Sequence, residues 1–246
     1  MSNGWYNQST VSQNAGSARA FGQAQFDEGL RQHMLRVYNY MMAGLVVTGL
    51  VAGFVASDRS LMIALFGSPV KWLVMLAPFA FVLALSFGIQ KMSYKTAQMV
   101  FWAYSATMGL SLSVVFLAFT GASVARVFFI TAGTFAAMSL WGYTTRRNLT
   151  NFGGFLMMGL FGVVIAGFVN MFMQSTGMQF AISVISVLVF TGLTAYDTQS
   201  IKEMYSESYD HESAGKLALM GALTLYLDFI NLFMSMLRLL GDQNRD

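Results

Sequence analysis

Residues 221–241 read GALTLYLDFINLFMSMLRLLG. As a helix rising about 1.5 Å per residue, this run is long enough to cross roughly 30 Å of hydrocarbon. Only Asp228 and Arg238 in it carry charge, and Asp228 lies about twelve residues into the wider run 217–240. Placing an aspartate at the centre of a span costs about 2.5–3.5 kcal/mol, which a stable fold tolerates only with partners, water or a proton. The polar residues Thr224, Asp228, Asn231, Ser235 and Arg238 follow helical spacing on one face, and the remaining faces are Leu, Phe, Met, Ile and Tyr. The pattern predicts a spanning helix that turns one polar stripe toward the bundle interior or a water-filled path. The same stripe would also serve helix packing by interhelical hydrogen bonds.

Six more apolar runs precede this one, at 37–56, 72–90, 99–119, 127–143, 152–173 and 180–199. Lipid satisfies no backbone polar group, so each run is expected to be helical, and the connections are too short for another domain. The fold class is therefore all-α, a polytopic membrane bundle of seven transmembrane helices. Composition agrees: of 246 residues, 56% are hydrophobic and 10% charged, against roughly 25% charged in soluble domains. The lipid bilayer is the expected partner. The net charge of +3 sits mainly beside the spans, which argues against nucleic acid. Without cysteine there is no disulfide, thiolate nucleophile or cysteine metal site.

The expected domains are a flexible tail over 1–30, the membrane domain over 31–241 and a short tail over 242–246. The first 26 residues are rich in Ser, Asn, Gln and Gly and show no signal peptide. Under the positive-inside rule, Arg19, Arg31, Arg36, Lys91, Lys95, Arg146, Arg147, Lys202 and Lys216 favour a cytoplasmic N-terminus. Arg59, Lys71, Arg126, Arg238 and Arg245 then lie outside, unless the last run enters and returns, in which case Arg238 and Arg245 move inside. Small residues at packing spacing, Gly49 with Gly53 and Gly159 with Gly162 and Ala166, are expected to let helix backbones approach.

The sixth run carries a second acid, Asp197, with Ser183, Ser186 and Thr194 along the same side. The chain returns directly from this run to the seventh, so Asp197 and Asp228 can meet. Two carboxylates in one desolvated site resist ionising together and titrate as a unit, which makes a proton-sensitive element. Their oxygens could also take a hard cation. Ca²⁺ wants six to eight oxygens, and only Thr194, Thr224, Asn231, backbone and water supplement the pair, so a weak, transient metal site at Asp197 and Asp228 is expected. Lys91, at the end of the second run, is the best placed basic residue to act as a gating partner, although lysines there usually snorkel to headgroups.

Enzyme chemistry finds little here. His33 and His211 lie outside the runs with no partner at metal spacing, which argues against a zinc hydrolase or a Ser-His protease. A two-aspartate intramembrane protease would use the same acids and stays as an alternative. No cofactor is expected beyond Ca²⁺ as a transported ion.

Two segments, TGLTAYDTQSIKEMY at 191–205 and residues 221–241, together resemble the Bax-inhibitor family, in its bacterial inner-membrane branch. The likeness runs from about Arg31, through RVYNYMMAGL and SLWGYTTRRNL, to Gly241. It implies six helices around a hydrophobic seventh and a pH-dependent Ca²⁺ leak, with the family's paired aspartates falling on Asp197 and Asp228. It also implies an arginine latch near the end of the second span, where this chain has Gln90 and Lys91, and Lys cannot reproduce bidentate pairing. The expected function is a pH-sensitive cation leak, with Thr194, Thr224, Asn231 and Ser235 lining or supporting the path. Some bacterial members of the family are linked to regulating a membrane-bound AAA protease, which supplies a second reading through the N-terminal tail.

Overall fold

Among the described residues, seven helices are long and apolar enough to cross a membrane, and each coincides with one of the seven runs. The computed structural model describes residues 6–206 and 208–244, with side chains described from residue 26 onward. The elements are α1 (Tyr6–Ser57), α2 (Arg59–Phe66), α3 (Val70–Gly88), α4 (Tyr94–Leu112), α5 (Val115–Ala118), α6 (Gly121–Thr144), α7 (Thr150–Met173), α8 (Thr176–Glu203) and α9 (His211–Leu240). No named strand forms among the described residues. Helix α1 begins inside the stretch whose composition reads as a tail, and residues 1–5 and Arg245 lie outside the described residues.

Local chemistry places the helix boundaries. Asp58 follows α1 and caps α2, its carboxylate accepting from the Ser60 hydroxyl and from the backbone N–H groups of Ser60 at 2.8 Å and Leu61 at 3.3 Å. The Ser60 hydroxyl first, and then those amides, hold the exposed Asp58 carboxyl below its usual range. Ser93, Thr120 and Ser175 cap α4, α6 and α8 in the same way. The turn into α8 is tight, with Gln174 in the left-handed region at φ 50° and the Asn170 side chain accepting from Ser175 N–H at 3.0 Å.

The last helix forms the axis of the bundle. Of its most apolar 18 residues 67% are buried, against 44% for α8 and 11% for α7. It packs on α8, α1, α6 and α4, while α3 and α7 lie further out against α4 and α8. Large apolar side chains on the outer helices, such as Phe79, Phe87, Phe161 and Phe172, remain exposed and form the belt that hydrocarbon would cover. Helix α9 is one continuous helix, long enough to cross a membrane, and the chain does not turn back within the last run. Its C-terminus lies at the same end as the α5–α6 connection and is strapped there: Thr120 N–H donates to Asp242 O, Asn244 N–H to Ala118 O, and Arg126 pairs with Asp242 at 2.8 Å.

Close helix contacts fall at glycines other than some of those expected. A Cβ at Gly142 of α6 would run into the backbone of Ala195 on α8, and one at Gly109 of α4 would lie 2.6 Å from Thr48 O on α1. Gly159 does approach Val189, but Gly49, Gly53 and Gly162 have nothing within 4 Å. Spacing in sequence places small residues on one face, but only the neighbouring helix decides whether that face is the contacted one.

Pro78 lies inside α3 and has no N–H to donate to Val74 O, one turn earlier. Ser111 of α4 donates its hydroxyl to that same oxygen at 2.5 Å. The carbonyl that proline orphans inside the membrane is thus satisfied from the next helix. We expect Ser111→Ala to lower stability by about 1–3 kcal/mol, and to cost markedly less in a Pro78→Ala background, where the restored N–H supplies the bond. Unfolding of the purified variants in detergent measures both, and equal losses in the two backgrounds would refute the assignment.

Candidate functional site

Helices α8 and α9 run antiparallel, with Gly221 against Ile201, where a Cβ would come within 3.0 Å of the isoleucine side chain. From that contact, α9 leads to Asp228 and α8 leads back to Asp197. The two carboxyl groups come close to one another across the α8–α9 contact, as the return of the chain suggests. Asp228 is 5% exposed, and Asp197 is half-buried. Two carboxyl groups in contact can share a hydrogen bond only when one of them carries a proton.

Among the described residues no cation forms an ion pair with either acid. The ion pairs among the described residues are Arg31–Glu28, Arg126–Asp242 and Lys216–Glu212, none of which includes Asp197 or Asp228. Lys91 is exposed in the turn after α3 and belongs to none of these pairs. Asp228 Oδ2 is fully buried with no hydrogen-bond partner among the described residues.

The residues expected to line a path are distributed differently from a single inward stripe. Thr194 and Ser235 are buried, Thr224 is half-buried, and Asn231 and Arg238 are exposed. Each of the four uncharged ones donates to the carbonyl four residues earlier in its own helix: Thr194 to Phe190 O, Thr224 to Met220 O, Asn231 to Leu227 O and Ser235 to Asn231 O, at 2.7–3.2 Å. Helical spacing did put them near one another, but the less buried face of α9 passes through Thr224, Leu227 and Asn231, leaving Asp228 at its inner edge.

Other contacts around the pair were not apparent in the sequence. Tyr38 of α1, Ser139 of α6 and Thr198 of α8 form a hydroxyl chain with steps of 2.6 and 2.9 Å. Thr198 donates to Thr194 O at 2.7 Å, so it accepts from Ser139, which in turn accepts from Tyr38. The chain joins three helices one residue from Asp197. On the opposite side of α9, the Tyr226 and Thr48 hydroxyls lie 2.6 Å apart, and the Tyr104 hydroxyl is buried with no partner among the described residues. Such ties link residues up to 178 positions apart, and no local spacing announces them.

His33 packs against Tyr205 and His211 against Tyr94, with ring centroids 5.5 and 6.5 Å apart. Among the described residues, no group of three or more His, Asp or Glu could hold a metal ion. The carboxyl pair offers four side-chain oxygens, short of the six to eight that a resident Ca²⁺ takes.

Comparison with known proteins gives consistent results along most of the chain. The family described as inhibitor of apoptosis-promoting Bax1 matches residues 30–245. The protein RP147 of Rickettsia prowazekii is 46% identical over 218 residues, covering 89% of this chain and 92% of that protein. The inner membrane protein YbhL of Escherichia coli K12 is 45% identical over 218 residues, covering 87% and 93% respectively. YrjE of Lactococcus lactis is 34% identical over 227 residues, covering 90% and 96%.

The pairing has a measurable consequence for stability. Asp228→Asn keeps a donor toward Asp197 and is expected to fold with little loss. Asp197→Ala strands the buried Asp228 and is expected to cost about 1–3 kcal/mol. Thermal unfolding in detergent checks the order, and the reverse order would show that the two acids do not support one another.

Proposed function

Because the chain belongs to the Bax inhibitor family of membrane proteins, we propose that it is a pH-sensitive cation leak of the bacterial inner membrane, controlled by Asp197 and Asp228. The observation that carries this reading is the close approach of two acids between the axial helix and α8, with a buried Asp228 oxygen that has no hydrogen-bond partner among the described residues. While the pair holds one proton, its oxygens attract each other through that proton, and α8 and α9 stay together. Loss of the proton leaves two negative charges in contact, a repulsion of about 4 kcal/mol at 4 Å and an effective dielectric of 20. That energy is enough to change the packing between α8 and α9, and the same charge attracts a divalent cation. Four carboxylate oxygens with water suit passage of Ca²⁺ rather than its retention. Proton number therefore controls both the affinity of the site and the closure of the helices around it.

Thr194, Thr224 and Ser235 support the pair in this reading by keeping their own hydroxyls occupied on backbone. Lys91 acts at the membrane surface rather than as a latch on the acids. The inner-membrane assignment draws on the name of YbhL and on the seven spans.

The test is Ca²⁺ flux into proteoliposomes between pH 6 and 8, for wild type, Asp197→Asn, Asp228→Asn and the double variant. We expect a pH-dependent flux in wild type that either single substitution flattens, with the double variant no flatter than the singles because the two acids act as one unit. Wild-type flux no greater than that of empty liposomes would overturn the leak and move the protease-regulator reading to the front.

A further inference from the structure

The membrane-facing surface is interrupted between α1 and α6. The two helices stand apart there, bridged by the Tyr38–Ser139 hydrogen bond and floored by Phe229 of α9. The groove encloses about 920 Å³. A smaller hollow of about 240 Å³ adjoins it, sharing Leu45, Gly49, Phe128 and Phe229. Small residues on both walls make the room: Gly49 on α1, where a Cβ would meet nothing within 4 Å, and Ala132 and Ala136 on α6. From Arg31 to Leu50 the groove follows α1 for about 28 Å at 1.5 Å per residue, nearly the depth of the hydrocarbon layer. Its walls are almost entirely apolar, so within a bilayer they hold hydrocarbon rather than water.

The groove is charged at one end only. Arg31 lines its mouth, with its side chain 65% exposed. Glu28 takes one N–H of that guanidinium at 3.1 Å, leaving other donors free. Tyr143 lines the same end, with Lys202 donating to its carbonyl oxygen at 2.9 Å and standing 5.1 Å from its ring. Arg146 and Arg147 follow α6 immediately and are exposed. A long apolar slot with a basic mouth at headgroup level has the dimensions and polarity of an anionic phospholipid, an acyl chain along its length and a phosphate at its head.

We propose that the α1–α6 groove is a binding site for an anionic phospholipid of the surrounding bilayer, with one acyl chain against Gly49, Ala136 and Phe229 and the headgroup phosphate on Arg31. The site is independent of the acid pair, although its floor residue follows Asp228 in sequence.

Native mass spectrometry of the purified full-length chain in detergent, titrated with phosphatidylglycerol or phosphatidylcholine, tests this. Wild type is expected to bind one phosphatidylglycerol at least tenfold more tightly than phosphatidylcholine. Gly49→Phe, which fills the groove where there is open space, is expected to lose that binding. Gly53→Phe also enters open space but does not line the groove, and is expected to bind as wild type does. Arg31→Gln, a surface change, is expected to bring the two lipids toward parity. Equal binding of the two lipids by wild type would reduce the groove to unselective hydrocarbon contact and overturn the proposal. Retention by Gly49→Phe, or equal loss by Gly53→Phe, would also overturn it.

Discussion

Hydrocarbon offers no hydrogen-bond partner, and nearly every feature of this molecule follows from that constraint. It makes each span a helix, and it leads most polar side chains within a span to find a bond inside the protein, the buried Tyr104 hydroxyl being an exception. Hydroxyls solve the problem locally: Thr48, Ser105, Thr131, Thr194, Thr198 and Ser235 all donate to the carbonyl four residues before them. Pro78 creates the complementary difficulty, an acceptor without a donor, and Ser111 resolves it from the adjacent helix. A carboxylate has no such remedy, because it has no proton to donate to a backbone carbonyl. Asp228 must therefore look to another helix, and the group it meets is a second acid. In the proposed function a shared proton reconciles the pair with these surroundings and links the chemistry of the site to the packing of α8 on α9.

The location of that pair gives it leverage. Helix α9 contacts four of the other helices, so Asp228 sits on the element that most of the bundle shares. The far end of α9 is restrained, since residues 241–244 are strapped to the segment around Phe119 through backbone bonds, the Asn244 side chain and the Arg126–Asp242 pair. With one end fixed and the acid pair in the middle, the proposed change of packing has most room on the face of α9 that its neighbours cover least. Thr224, Leu227 and Asn231 lie on that face.

The opening between α1 and α6 lies elsewhere around the same axis. Phe229 forms its floor and stacks edge-on to Phe128 and Phe135 of α6, with centroids 5.4 and 5.6 Å apart. The bundle is therefore not closed by protein alone on that side. In the proposed arrangement lipid completes its packing there, and Gly49, which looks like half of a helix-packing motif on α1, instead provides space for it.

The number of spans and their helical state were determined by the sequence, because those properties depend on run length and on the cost of charge in lipid, which are local quantities, and the same cost singled out Asp197 and Asp228. The return of the chain from the sixth span to the seventh even made the meeting of Asp197 and Asp228 foreseeable. The facing of each side chain was not. Asn231 shares helical spacing with Asp228 yet is exposed, Gly49 has packing spacing yet faces open space, and Lys91 is near in sequence pattern yet pairs with neither acid. In each case the outcome depends on which helix lies alongside, through contacts such as Gly142 on Ala195 or Tyr38 on Ser139 that join residues far apart in the chain. Only the tertiary structure could decide these, because an amphipathic pattern states that a face differs from its neighbours without stating what will cover it.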